Sequence, residues 1–160
     1  MPRSLAAAAL ALLVLTAGCT ALDTDSAAVT VENEKDVEYT LTASMVEEPV
    51  GAGNVTFRAT NDSGVRKTVG LRTLDTEGPH YDVTLAEEWN ATERRVTVPP
   101  NGTTTATFEV WDSGDPVVYL IAGPDGRLVR PEFAECERDS LEHTFVLTDR
   151  VENGFEMRCA

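Results

Sequence analysis

The side chains that could do chemistry in this chain are few and scattered. His80, His143, Cys136, Cys159 and Met157 are the inventory for a copper centre, whose usual ligands are two histidines, a cysteine and a methionine brought together. No histidine or methionine follows either cysteine at the short spacing of a shared ligand loop. Asp23-Thr24-Asp25 and Asp112-Ser113-Gly114-Asp115 place hard oxygens two and three residues apart, but neither runs on into a twelve-residue calcium loop with a terminal glutamate. They read as solvated acidic turns. General acid–base chemistry would have to use His143 with Glu142 or His80 with Asp82. The chain has no Gly-x-Ser-x-Gly elbow, phosphate loop or dinucleotide fingerprint. The expectation is therefore a protein with no catalytic residues, no metal and no cofactor.

Asparagines carry the other local signal. Asn54, Asn61, Asn90 and Asn101 each stand two residues before Thr or Ser with no intervening proline, which is the acceptor pattern for N-glycosylation. Four of the six asparagines fit it, more than this Ser and Thr content gives by chance. Threonine-rich strand ends account for part of the excess.

Charge narrows the class of partner. Asp and Glu number 27 against 13 Lys and Arg, for a formal net charge of -14. Such an excess repels nucleic acid and anionic headgroups alike. Only Lys35 and Lys67 are lysines, and an acidic chain with so little lysine resembles proteins of halophilic archaea. The resemblance implies molar salt, where a Debye length of about 3 Å removes most self-repulsion.

Arg3, the apolar run Leu5 to Leu15, and Ala17-Gly18 form the charged, apolar and small-residue parts of an export leader. The run is shorter than the roughly 18 residues of a membrane span. With Cys19 directly after Gly18, the stretch Leu15-Thr16-Ala17-Gly18-Cys19 resembles the lipobox of prokaryotic lipoproteins. The resemblance implies cleavage after residue 18, a lipid on the Cys19 thiol, a polar tether over 19–28, and a domain over 29–160 on the outer face of the cell membrane. Thr16 stands where that family usually has an aliphatic residue, and plain secretion is the alternative. Setting Cys19 aside leaves an even pair, so in an oxidising compartment Cys136 and Cys159 would form a disulfide, with free thiols or metal ligation as the rival reading.

From Val29 onward the pattern has period two, the sign of half-buried strands. Val29 and Val31, Val37 to Met45, Val55 to Ala59, Val65 to Leu71, Tyr81 to Leu85, Arg95 to Val98, Thr103 to Trp111, Val117 to Ile121, Arg127 to Val129, His143 to Leu147 and Phe155 to Cys159 are the strand candidates. Turn signals such as Asn61-Asp62-Ser63-Gly64 and Pro99-Pro100-Asn101-Gly102 separate them. Ala86 to Trp89 reads as one helical turn. These eleven segments, read as some eight or nine strands, and hardly any helix predict an all-β, antiparallel, two-layer sandwich. The segment Val55 to Val110, with its F-R-A-T-N-D-S-G strand end and V-T-V-P-P-N-G-T-T-T-A-T-F-E-V tail, resembles an immunoglobulin-like or fibronectin-like domain. Trp89 and Trp111 both precede Cys136, unlike the cysteine-bracketed tryptophan of antibody domains, so the resemblance concerns fold alone.

Taken together, these features predict a non-enzymatic lipoprotein that binds or spaces another envelope protein or glycan. The alternatives are a small-ligand or metal-binding transport accessory and, further off, a hydrolase.

Overall fold

A computed structural model describes residues 25–47, 50–149 and 154–160. The expected leader, Cys19 and Asp23 lie outside them. Eleven strands run through the described residues: β1 (Ser26–Asn33), β2 (Tyr39–Val46), β3 (Thr56–Asn61), β4 (Arg66–Gly70), β5 (His80–Leu85), β6 (Ala91–Val98), β7 (Gly102–Phe108), β8 (Val117–Ala122), β9 (Leu128–Ala134), β10 (Ser140–Leu147) and β11 (Phe155–Cys159). One short helix, α1 (Leu71–Thr76), lies between β4 and β5. The sheets have the orders β11-β10-β1-β7, β6-β2-β8-β9 and β4-β3-β5.

The expected sandwich is the packing of the first sheet on the second. Val29, Val31, Phe108, Leu141 and Phe145 from one layer meet Leu41, Ala43, Val117, Tyr119 and Ile121 from the other, and Trp111 closes the same core. The third sheet adds a layer beyond the expected two. It covers the opposite face of the second sheet, where Val46, Val118 and Leu120 pack on Val55, Phe57, Ala59 and Leu74. β8 (V-V-Y-L-I-A) is thus apolar on both faces because both are buried, the pattern of an interior strand.

Four details correct the reading from sequence. β1 begins at Ser26, so residues 26–28 belong to the sheet and not to the tether: Ala27 is fully buried, aligned with Leu141 on one side and Phe108 on the other. β1 and β10 run parallel, so the sandwich is not wholly antiparallel. The chain leaves the first sheet after β1 and completes most of the fold before β10 returns beside it. The helical residues are Leu71 to Thr76, not Ala86 to Trp89, which form a turn. Leu71 looked like the last alternating residue of β4, yet Leu71 and Leu74 are one helical turn apart and both pack on the second core. Finally, β6 starts four residues before Arg95, at Ala91.

Side-chain bonds hold the turns. Buried Asn33 donates to the carbonyls of Val37, at 2.8 Å, and Pro99, at 2.9 Å, while its Oδ1 accepts from the Lys35 amide. One amide thereby fixes the β1–β2 turn against the β6–β7 turn.

Cys136 and Cys159 are disulfide-bonded, with Cα atoms 5.7 Å apart. The bond matters because every residue of β11 is exposed. Burial contributes little there, and the strand is held by its ladder to β10 and by this link. Closing a loop of this length stabilises by about 3 kcal/mol. Replacing both cysteines by serine should lower the melting temperature by roughly 10 °C, with amide exchange accelerating first in β11; an unchanged melting temperature would refute this role.

Candidate functional site

Two depressions flank the second sheet on the side of the third. One is a cleft of about 220 Å³ lined by Thr40, Thr42, Glu93, Arg95, Leu120, Ala122, Gly126 and Leu128 and walled by Arg66, Asp82, Val83 and Thr84. Its placement follows from the strands. Thr40, Thr42 and Arg95 stand on the face of β2 and β6 opposite buried Leu41 and partly buried Val96. Toward Val46 that face is apolar and covered by the third sheet; toward Thr40 it turns polar and stays open. The cleft thus occupies the end of the domain away from Ser26.

Local geometry shapes the wall. Arg66 donates to the Thr84 hydroxyl at 3.2 Å and to the Asp82 carbonyl at 3.5 Å. Asp82 itself has φ +48° and donates its amide to the Gly126 carbonyl at 3.2 Å. At Gly126, with φ +77°, a Cβ would stand 3.2 Å from the Asp82 carboxylate, so the β8–β9 turn approaches this closely only as glycine. Among the described residues neither Arg66 nor Arg95 has a carboxylate within salt-bridge distance. Two guanidinium forks, three threonine hydroxyls and the carboxylates of Asp82 and Glu93 thus share one cleft, a mixed polar surface that can both donate and accept hydrogen bonds.

The second depression, about 470 Å³, lies between α1 and β9, with Leu71, Pro131 and Phe133 among its apolar walls and Arg72, Thr73 and Asp75 around them. Arg130 and Glu132, which also line it, pair at 2.5 Å.

Both histidines are structural. His143 is buried in the first core and meets Tyr119 of β8: the phenol oxygen lies 2.8 Å from Nδ1 and 3.1 Å from Nε2. A neutral imidazole has one N–H and one bare nitrogen, and the hydroxyl can accept from the first or donate to the second, so the pair makes one neutral hydrogen bond whose direction follows the tautomer. Burial holds the imidazole below the usual histidine range, against the opposing pull of the Glu132 carboxylate. Burial, reinforced by Glu132 and offset by Arg130, pushes the Tyr119 phenol well above its ordinary value. Glu142, the neighbour expected to serve His143, points to the outer face with Thr144, Glu156 and Arg158, because successive strand residues alternate. His80 turns inward toward the Thr73 carbonyl at 3.3 Å, whereas Asp82 is exposed. The copper inventory is gathered only in part: His143 and Met157 stand opposite each other on β10 and β11, but His80 sits in a different sheet and both cysteine sulfurs are spent in the disulfide.

The Asp112–Asp115 segment is a turn that caps the core. The Asp115 amide bonds the Asp112 carbonyl, and Trp111 Nε1 donates to the Asp115 carbonyl at 2.7 Å. Partial burial, and then the like charges of Asp112 and Glu47, raise the Asp115 carboxyl above the usual range.

The sequons separate by end of the domain. Asn54 and Asn90 lie just before β3 and β6, at the end where Trp89 Nε1 donates to Thr56 and Asn90 bonds Glu47. Asn61 ends β3 and Asn101 lies in the β6–β7 turn, both at the opposite end. The Asn61 Oδ1 accepts from the Ser63 and Val65 amides, and Asn101 has φ +49°. Asn54, Asn90 and Asn101 are exposed and Asn61 is half-buried.

Sequence reasoning missed Arg66, Arg95 and Tyr119. The wholly apolar β8 was a usable signal, since a tyrosine inside a two-sided strand needs a partner for its hydroxyl. Nothing in the sequence brings Arg66 and Arg95 together, because they come from different sheets.

A three-layered β-domain with an immunoglobulin-like sandwich, a polar cleft and histidines used in packing defines a class of binding or structural modules. The halobacterial Ig domain protein family matches residues 1–160, and the chain belongs to it. Comparison with curated proteins finds no match. Among solved structures, one described as "Trapped Toxin" is similar at 11% identity and a TM-score of 0.32, over 84% of this chain and 24% of its own. The chain thus spans about a quarter of that structure's length, and no fold or function is inferred from it.

The buried pair generates a pH dependence. With the folded-state pKa of His143 depressed, the unfolded chain binds its proton first, so stability is full above the usual value of about 6.5 and falls as pH drops through that value toward the folded one. Melting temperatures between pH 8 and 5 at constant high salt should show this loss, and His143→Leu should remove that part of the slope. An identical slope in the variant would exclude His143 as its source.

Proposed function

We propose that the chain is a lipid-anchored, non-enzymatic binding module of the cell envelope, which holds its β-domain close to the outer face of the membrane and engages an envelope glycan or protein through the Arg66–Arg95 cleft. The observation that carries this reading is the leader-like run ending in Cys19, followed seven residues later by the first strand at Ser26. Seven extended residues reach at most roughly 25 Å, so a lipid on Cys19 would keep the domain against the membrane. Net negative charge offers no electrostatic attachment, which leaves the lipid as the means of retention. Stable retention calls for more than a single acyl chain.

The cleft supports the binding half. At about 220 Å³ it is smaller than the 300 Å³ or more of typical small-molecule pockets, and fits a protruding sugar or side chain of a larger partner. A small-ligand role is the second reading, favoured by the size of the depression beside α1, about 470 Å³. Asn101, exposed in the β6–β7 turn at the cleft end, is the sequon best placed to carry a glycan.

Intact mass of the membrane-extracted protein should lack residues 1 to 18 and carry a lipid on Cys19, and Cys19→Ser should appear in the medium; an unmodified Cys19 would overturn the anchor. For the cleft, Arg66→Ser with Arg95→Ser should lose about tenfold in retention on an immobilised carboxylated polysaccharide in high salt, while wild type and variant pass a neutral one alike. Equal retention of both proteins on the carboxylated matrix would remove the cleft from the proposal.

A further inference from the structure

Among the described residues the outer edge of β11 is unpaired, and it is in phase for pairing. The Ser140 and Ala160 amides and carbonyls exchange both bonds, at 2.8 and 3.1 Å, and the Val146 amide bonds the Gly154 carbonyl. With the β10–β11 register of Leu141 opposite Cys159 and His143 opposite Met157, the bonded pairs are those of Gly154, Glu156, Arg158 and Ala160. The amides and carbonyls of Phe155, Met157 and Cys159 therefore point away from β10. Their side chains share the inward face, where Phe155 is 66% and Met157 49% exposed.

Other edges are protected. β9 carries Pro131, which cannot donate a ladder bond and suits an edge strand. β4 presents exposed Arg66 and Lys67, a common guard against edge pairing. β5 is bridged by Arg127 at Tyr81, and β6 and β7 form a hairpin that turns from one sheet into the next. β11 has no proline and no lysine, and its one cation, Arg158, is paired with Glu156 on the same strand.

We propose that β11 pairs antiparallel with β11 of a second copy, about a two-fold axis through Met157, to join the two first sheets into one. Charge selects both the partner and the register. On the outer face Glu156 and Arg158 now pair with each other at 2.8 Å, and Glu142 stands opposite Arg158. Centred on Met157, the antiparallel register sets Glu156 against Arg158 of the second copy, and Arg158 against its Glu156. Across the sheet the row from β10 outward then alternates in sign: Glu142, Arg158, then the second copy's Glu156. A shift of two residues in either direction breaks this alternation. On the inner face Phe155 comes opposite the second copy's Cys159, and Met157 opposite its own equivalent, covering the exposed apolar pair. The contact is isologous and closes at two copies.

Sedimentation of the detergent-solubilised full chain in molar salt, over a concentration series, tests the proposal. Wild type should pass from monomer to dimer. Met157→Pro removes an amide that β10 does not use and should abolish the dimer. Glu156→Arg sets like charges together twice and should weaken dimerisation about fivefold, and Glu156→Arg with Arg158→Glu and Glu142→Arg should restore it. The triple exchange inverts every sign in the row, Glu142 standing opposite Arg158 across β10 and β11, and so keeps both the in-strand pair and the contact to β10; its recovery reports the register and not the folding of β11. A wild-type chain that stays monomeric throughout, or a dimer indifferent to Met157→Pro and to the charge exchange, overturns the proposal.

Discussion

β8 has no solvent face, and the rest of the molecule is arranged around that fact. A six-residue strand with Val117, Tyr119 and Ile121 on one side and Val118 and Leu120 on the other must be covered twice. The first sheet covers one side and the third sheet the other, so two cores share a single middle layer. Each half of the domain thereby stabilises the same strand, and loosening either exposes apolar surface worth about 25 cal/mol per Å². The Tyr119 hydroxyl is the polar cost of the arrangement. His143 of the facing sheet meets that need while burial disfavours its charged form.

Much of this was legible in the residues. The expected turns at Asn61–Gly64 and Pro99–Gly102 join β3 to β4 and β6 to β7, overlapping the strands only at Asn61 and Gly102, and Phe155 to Cys159 matches β11 residue for residue. These are local signals: alternation reports which face of a strand is buried, and Asn-Gly and Pro report where a chain must turn. The all-β, immunoglobulin-like class follows from them, and the family match agrees. The parallel pairing of β1 with β10 was not legible, because neither strand's composition records its partner's direction. Nor was the third layer, although the apolar run of β8 contained the clue: alternation fails where both faces are dry.

The histidines show the same limit from the side of chemistry. Adjacency suggested His143 with Glu142, yet adjacent residues on a strand face opposite ways, and the true partner is 24 positions distant in β8. The cleft was hidden for the mirror reason. Thr40, Thr42, Arg66, Thr84 and Arg95 each look like ordinary outward residues of a half-solvated strand. Only the stacking of two sheets turns them toward one space. Where a site is built from side chains on different layers, sequence yields its ingredients without their meeting.

Charge ties surface to environment. In dilute solution a net charge of -14 would keep two copies apart whatever their edges offered. At a Debye length near 3 Å that long-range repulsion is gone, whereas hydrogen bonds and apolar contacts formed at touching distance persist. A protein living in molar salt therefore cannot rely on net charge to guard a strand edge and must use local devices. Pro131 on β9 and the Arg66-Lys67 pair on β4 are such devices. Against that background, an edge left with Phe155 and Met157 exposed and with Glu156 and Arg158 side by side differs from its neighbours in kind. Opposite charges two residues apart on one strand repel no approaching strand, and they match an antiparallel copy of themselves.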